Sequence, residues 1–423
     1  MKALHSSLLL LALAFLLESC SPGAVPPVGL LPPPISPSSS SLATPTPPDP
    51  QDPIVVVSTP VALVDAPSTP LHVSAPRTSA GAFQSGMALL VYGNDVSYKA
   101  EASRLYDTLA YDNVNSILIT FPIFMNGYYG TKLFADPKKT PSDAELSWLI
   151  SNAQSRGFSV VLRPLIDEHT LYGAPPGGWR GGIRPTSVTA WFDSYNALMI
   201  HYATLSQSVH AFAFDIGSEL DTMERYSLEW PYTIKLIRSH YSGQLTYSFN
   251  FETRPQPFAA LLDFVSVDAW YNLSNLANPS ISQIIAGWQG YGLHDLLYRS
   301  ALAGKPVVVT EVGAWPNPGI FRAPYGGSTA PYNPQVQQDY YAGTCAALKP
   351  KISGIYWWEI ELVNPLRPHN LSNFDPLSVP GTNHTISDCY APAPKPTTNY
   401  QSRHYDLANS YTAVPPPSPT PSA

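Results

Sequence analysis

The chain has 423 residues, 44% of them apolar and 12% aromatic, enough to build one large domain or two ordinary ones. A formal charge of -7 with only 13% charged residues gives no basic stripe to track phosphates. That excludes nucleic acid as an expected partner and favours neutral substrates.

The chain opens "MKALHSSLLLLALAFLLESC", with one Lys and an apolar run from Leu8 to Leu17 before Cys20. Such a run is too short to span a membrane as a mature helix and reads as a secretory signal over residues 1–20. Its ending, Leu17-Glu18-Ser19-Cys20, resembles a bacterial lipobox, in which Cys20 would become the lipidated N-terminus. Glu18 departs from the small residue usual there, and ordinary cleavage to a free secreted protein is the alternative. Residues 21–80 hold sixteen of the 46 prolines and only Asp49, Asp52, Asp65 and Arg77 as charges, the composition of a disordered, semi-extended tether. Within it "PIVVVSTPVALVDA" is apolar enough to lie as a strand on a domain surface. A second Pro-rich segment, 413–423, closes the chain.

Residues 81–412 are expected to form a single domain. Between about 84 and 360, eight short apolar runs alternate with segments of helical periodicity. The runs are "MALLVY" (87–92), "NSILITF" (115–121), "FSVVLRPL" (158–165), "HAFAFDIG" (210–217), "QLTYSFN" (244–250), "DFVSVDAW" (263–270), "KPVVVTE" (305–311) and "GIYWWEI" (354–360). Between them, "SDAELSWLISNAQSRG" and "SVTAWFDSYNALMIHYATLSQ" space apolar residues by three and four. This alternation predicts an α/β fold, a (β/α)8 TIM barrel. A doubly wound open sheet is the alternative, but no Gly-rich phosphate loop follows the first strand. Cys345 and Cys389 are expected to be bonded, tying the last helix to the C-terminal tail; two free buried thiols are the other possibility.

Two strands end in acids. Glu219 follows the fourth and Glu311 ends the seventh, and a buried carboxylate is costly unless something compensates it. On one barrel both would point into the mouth at the C-terminal ends of the strands. There each would shape the other's ionisation, one kept protonated and the other charged. Two carboxylates flanking a cleft are the equipment of glycoside hydrolysis. The competing reading is that one of them salt-bridges Arg163 or Arg180 and only holds the barrel together.

Further similarity runs from Arg163 to Trp315, through "VLRPLIDEHT", "GGWRGGIRP", "WFDSYNALMIHYA", "FDIGSEL", "SHYSGQLTYSFN", "LDFVSVDAWYNL" and "KPVVVTEVGAW", with "YYAGTCAAL" and "GIYWWEIE" beyond. In order and spacing these segments resemble glycoside hydrolase clan A, and most of all family 113, whose known members are β-mannanases. The resemblance implies a retaining enzyme with Glu219 as acid/base and Glu311 as nucleophile, their carboxyls about 5 to 5.5 Å apart. Two positions depart from the clan. Ser218 stands where Asn commonly meets the sugar 2-hydroxyl, and Trp270, followed by Tyr271, stands where a Tyr commonly bonds the nucleophile. Which of Trp270 and Tyr271 faces inward is open at this level.

Trp179 and Arg180, in a Gly-rich loop after the third strand, read as a sugar platform and a hydroxyl donor, or as a buried anchor beside a surface Arg. Alternation lets only one of Trp357 and Trp358 face the mouth; by analogy with the clan it is Trp358, under the sugar at the cleavage point. Asn250, Asp167, Glu168 and His169 stand at strand ends where they could touch hydroxyls or simply cap turns. Glu359 and Glu361 are expected in ion pairs. The ten His are scattered and no metal-ligand spacing appears, so no cofactor is implied. The expected partner is a polysaccharide or oligosaccharide, β-1,4-mannan first. Glucan, galactan or xylan, or a carbohydrate-binding barrel without turnover, are the alternatives. The protein is expected outside the cytoplasm, as a monomer, touching a membrane only through a lipid on Cys20.

Overall fold

The computed structural model describes residues 81–93, 98–173, 178–327, 329–362 and 374–392. The signal, Cys20, the Pro-rich tether with its apolar stretch and the 413–423 tail lie outside the described residues.

Eight parallel strands close on themselves: β1 (Gln84–Val91), β2 (Ser116–Met125), β3 (Ser159–Ile166), β4 (Ala213–Ser218), β5 (Gln244–Asn250), β6 (Val265–Asp268), β7 (Val307–Val312) and β8 (Gly354–Leu362). Each strand pairs with the next, and β8 pairs with β1 in the register Gln84↔Gly354, which shuts the ring. A two-residue strand, Leu133–Phe134, adds an antiparallel edge to β2. This is the TIM barrel read from the alternation, and all eight runs form barrel strands. The fourth starts later than expected: His210 takes a left-handed φ of 52° in the preceding turn, so the strand begins at Ala213.

Around the ring lie α1 (Tyr98–Tyr111), α2 (Asp143–Ser155), α3 (Val188–Ser208), the single turn α4 (Asp221–Glu224), α5 (Glu229–Arg238), α6 (Ile281–Gly287), α7 (Leu293–Ala303), α8 (Pro334–Leu348) and α9 (Thr382–Tyr390). Several start where the sequence offers a hydroxyl or amide cap. Ser142, Ser187 and Asn333 each accept a first-turn N–H, and Ser280 with Gln283 makes a capping box.

Strands buried on both faces explain the near-continuous apolar runs. Outward residues such as Ile117, Val160, Leu162, Phe214, Tyr247, Val267, Val309 and Trp357 pack under the helices. Inward ones form a separate core of Ala88, Leu118, Val161, Ala213, Phe264, Val308 and Tyr356. Two residues further along several of the strands, the interior turns polar. Leu118 gives way to Thr120, Val161 to Arg163, Ala213 to Asp215, and Val308 to Thr310, all fully buried. The period of two therefore carries an apolar floor and a polar layer above it, toward the C-terminal mouth.

Helix α9, within the 361–412 region that carries no readable motif, braces the barrel. Tyr390 of α9 donates its hydroxyl to the carbonyls of Gly86 on β1 and Ile355 on β8, at 2.9 and 2.7 Å. A disulfide joins Cys345 of α8 to Cys389 of α9. The pairing is as expected, but its second partner sits in an ordered helix rather than a tail. Cross-linking residues 44 apart constrains the unfolded chain by about 4 kcal/mol in the chain-entropy account. The C345A/C389A double variant should accordingly unfold at a lower denaturant midpoint than the oxidised protein, with reductant lowering only the latter. An unmoved midpoint would mean that the brace does not depend on the bond.

Candidate active site

Beyond Ser218 the backbone turns sharply, and Glu219 takes a left-handed φ of 52°. For a residue with a Cβ that conformation costs roughly 1 kcal/mol or more, so neighbouring bonds must hold it. The Glu219 N–H donates to the Ser248 carbonyl at 2.9 Å, and the Leu220 N–H donates to the Tyr247 hydroxyl at 2.9 Å. Tyr247 in turn donates to Glu224 at 3.0 Å. The bend ends the apolar run and turns the acid away from the strand.

Glu219 is 7% exposed. Its Oε2 accepts from the Trp179 indole N–H and from the Arg180 guanidinium, each at 2.9 Å. Arg180 is itself held by the Ile166 carbonyl at 3.0 Å and by Glu168 at 3.1 Å. Among the described residues, no hydrogen bond reaches Oε1 of Glu219. One oxygen is thus saturated by donors while the other can carry a proton.

Glu311 is arranged differently. Arg163 donates to Oε1 at 2.6 Å and the Trp270 indole N–H donates to Oε2 at 3.2 Å. Both groups can only donate, so both oxygens of Glu311 must accept, which is what a carboxylate does. Burial pushes this carboxyl well above its ordinary value and Asp268 adds to the push, while Arg163 opposes it; Glu219 raises it further and Arg180 lowers it. Burial also works against the charge on Arg163, but Glu311, Asp268, Asp215 and Glu219 outweigh it and keep the guanidinium protonated. Each glutamate therefore has its arginine, Glu311 with Arg163 and Glu219 with Arg180.

Strand alternation from Ser266 through Asp268 carries on to Trp270, which faces the mouth. Tyr271 turns outward and donates to Asp295 of α7 at 2.5 Å, so its expected place among the substrate-binding residues is corrected. The two strand-eight tryptophans divide as the pleat requires. Trp357 is fully buried and stacks on Tyr341 of α8 with ring centroids 4.3 Å apart, whereas Trp358 is half-buried with the Arg163 guanidinium 5.2 Å from its ring. The Trp358–Glu359 peptide is cis.

The Ser218 hydroxyl donates to the buried Asp268 at 2.9 Å, so its proton is not available to a sugar hydroxyl. Asn250 uses its side-chain oxygen on the Glu252 N–H at 2.7 Å, and its carbonyl accepts from Arg299 at 3.2 Å, so it shapes the turn after β5. Asp167 caps the turn after β3 through the His169 N–H at 2.7 Å and accepts the Tyr92 hydroxyl at 2.8 Å. His169 is exposed to solvent. Glu359 is in no salt bridge among the described residues, against expectation; burial, then Glu361, push its carboxyl up to about 8.

Three participants were not singled out as such from the sequence. Arg163 and Asp268 show the same signal as the two glutamates, a charge inside an apolar strand. Phe374 shows none; it lies within the motif-free region 361–412, yet its ring lies 5.4 Å from that of Trp270 and 6.0 Å from that of Trp315.

Comparison with known proteins agrees with the barrel fold. A GH113 beta-mannanase from Alicyclobacillus acidocaldarius, solved in complex with ManMIm, superposes with a TM-score of 0.61 at 24% identity, over 73% of this chain and 97% of its own. A GH113 beta-1,4-mannanase solved as a complex gives a TM-score of 0.61 at 21% identity, over 73% and 99%. At these identities the likeness speaks for the fold. No curated protein sequence matches significantly. The family model for Glycoside Hydrolase Family 113 matches residues 91–371, two thirds of the chain, and the protein is a member of that family.

Proposed function

We propose that the protein is a retaining β-mannanase, cleaving β-1,4-linked mannan by double displacement with Glu311 as nucleophile and Glu219 as acid/base. The observation that carries this is the unlike set of donors on the two glutamates. Glu311 accepts on both oxygens from groups that only donate, and stays ionised; Glu219 accepts on one and has the other for a proton. In the first step a Glu311 oxygen attacks the anomeric carbon while Glu219 protonates the departing glycosidic oxygen, leaving a glycosyl-enzyme ester. In the second, Glu219 takes a proton from water as that water attacks the same carbon, and Glu311 leaves as carboxylate. Trp358 lies under the sugar at the cleavage point, and Trp179 with Arg180 line the side from which the proton comes. Mannan is favoured over other glycans by the family, and by GH113 relatives described as mannanases. The signal and the lipobox-like Cys20 put the enzyme outside the cytoplasm, which suits a Cys345–Cys389 disulfide.

Reducing-sugar release from mannan, glucomannan, glucan, galactan and xylan tests the reading. Mannan should be cut with retention of anomeric configuration, and E311A and E219A should each lower kcat by roughly three orders of magnitude or more. Cleavage of another polymer alone would move the substrate, and full turnover by E311A would overturn the mechanism.

Trp270 gives a second, pH-dependent test. Its N–H favours the charged form of Glu311, so W270F should raise that carboxyl. A hydrogen bond to a charged group is worth about 1.5–3 kcal/mol, or roughly one to two pH units. The acid limb of kcat/KM should move to higher pH by about that much, and a limb left in place would show that the indole does not tune the nucleophile.

A further inference from the structure

Beneath the two glutamates lies a layer that the proposed chemistry does not use. Asp215 of β4 and Asp268 of β6 are both fully buried beside Arg163. Asp268 Oδ1 accepts from the Thr310 hydroxyl at 2.9 Å and, more distantly, from Arg163 at 3.4 Å. Its Oδ2 accepts from the Ser218 hydroxyl at 2.9 Å. Asp215 accepts from the Ser248 hydroxyl at 2.5 Å and the Gly217 N–H at 3.4 Å, and the Ser248 and Thr310 hydroxyls lie 3.0 Å apart. Asp268 therefore touches Ser218, the residue before Glu219, and Arg163, the cation on Glu311.

The layer holds one guanidinium for three carboxyls, and a water-free interior does not keep three negative charges around one positive charge. A proton has to reside there, and the partners say where. Glu311 has only N–H groups against its oxygens, so a proton on it would face a donor. Among the described residues Asp268 Oδ2 faces only the Ser218 hydroxyl, and with a proton on Oδ2 that bond reverses, Asp268 donating and Ser218 accepting; Asp215 faces a hydroxyl too, but also takes the Gly217 N–H, which favours its charged form. Arg163 also stands at 2.6 Å from Glu311 but 3.4 Å from Asp268, so the negative charge is better compensated on Glu311.

We propose that Asp268 is a positioning residue: it holds the proton that this layer must carry, leaves the charge and Arg163 to Glu311, and ties the strand end bearing Glu219 to the one bearing Glu311. The charged groups facing Asp268 and Glu311 are Arg163 of β3, Arg180 after it, Asp215 of β4 and Glu219 beyond β4. Burial, opposed mainly by Arg163, pushes Asp268 up to about 7, and burial pushes Glu311 well above its ordinary value too; both shifts say that the layer holds a proton, and the donors say on which carboxyl.

The inference rests on the roles proposed for Glu219 and Glu311, and its test separates the two. In the proposed state Asp268 already carries the proton, so the neutral isostere in D268N leaves the field at Glu311 as it was. The acid limb of kcat/KM should stay within about half a unit of its wild-type position, whereas replacing an ionised Asp268, which would raise Glu311, would move that limb to lower pH. D268A, which also removes the bonds to Ser218 and Arg163, should fall at least about ten-fold below D268N in kcat. Infrared difference spectra of wild type against D268N at pH 6, in the intact protein, should show a protonated carboxyl lost on substitution. That spectrum needs no turnover and stands whether or not D268A folds. An ionised Asp268 in the spectrum, or an acid limb moved to lower pH in D268N while E311A and E219A still abolish turnover, would overturn the proposal alone. Full activity in E311A or E219A would instead overturn the catalytic reading, with the spectrum still deciding the proton's place.

Discussion

A guanidinium from which water is excluded governs the mouth of this barrel. Arg163 is fully buried, and a charge so placed is tolerable only with carboxylates against it. That need draws Glu311 and Asp268 inward and stations Trp358 over the cation. The hydroxyls of Thr120, Ser248 and Thr310 complete the bonding around Arg163 and its partners. A cation in the third strand therefore accounts for polar residues in the second, fourth, fifth, sixth and seventh, each two positions beyond an inward-facing neighbour.

The arrangement also explains how two glutamates of one chemistry acquire different characters. Neither is distinguished by being in an ion pair, since each has its arginine. The difference lies in which oxygens the donors reach. Arg180 and Trp179 converge on a single oxygen of Glu219, whereas Arg163 and Trp270 divide between the two of Glu311. The reading in which an ion pair merely holds the barrel together and the reading in which it prepares an acid are thus not alternatives. The same contacts that hold the strand ends divide the donors unevenly between the two acids.

Much of this was legible in the sequence, for definite reasons. Strands covered on both faces give apolar runs that stand out, and acids closing two of them mark the mouth. Alternation from Ser266 carries to Trp270, so the inward choice between Trp270 and Tyr271 was within reach of the pleat alone. The late start of the fourth strand was less so, because His210 sits in a left-handed turn that its apolar neighbours conceal. Asn250 and Asp167 read equally well as sugar contacts and as caps, since both uses want the same short polar side chain at a strand end. Phe374 escaped entirely: what brings it beside Trp270 is tertiary packing after a stretch without periodicity.

The brace formed by α9 lies beyond the region shared with the family, and it acts at the seam where the first strand meets the last. Those two strands are the most distant in the chain, so their pairing carries the largest loop-closure entropy of the ring. Tyr390 spans that seam, and the cystine one residue before it fastens the helix to the barrel wall. Since thiols pair only where the surroundings oxidise them, the fastening is conditional on location: the ring can close before it, but is locked only after the chain has reached such surroundings.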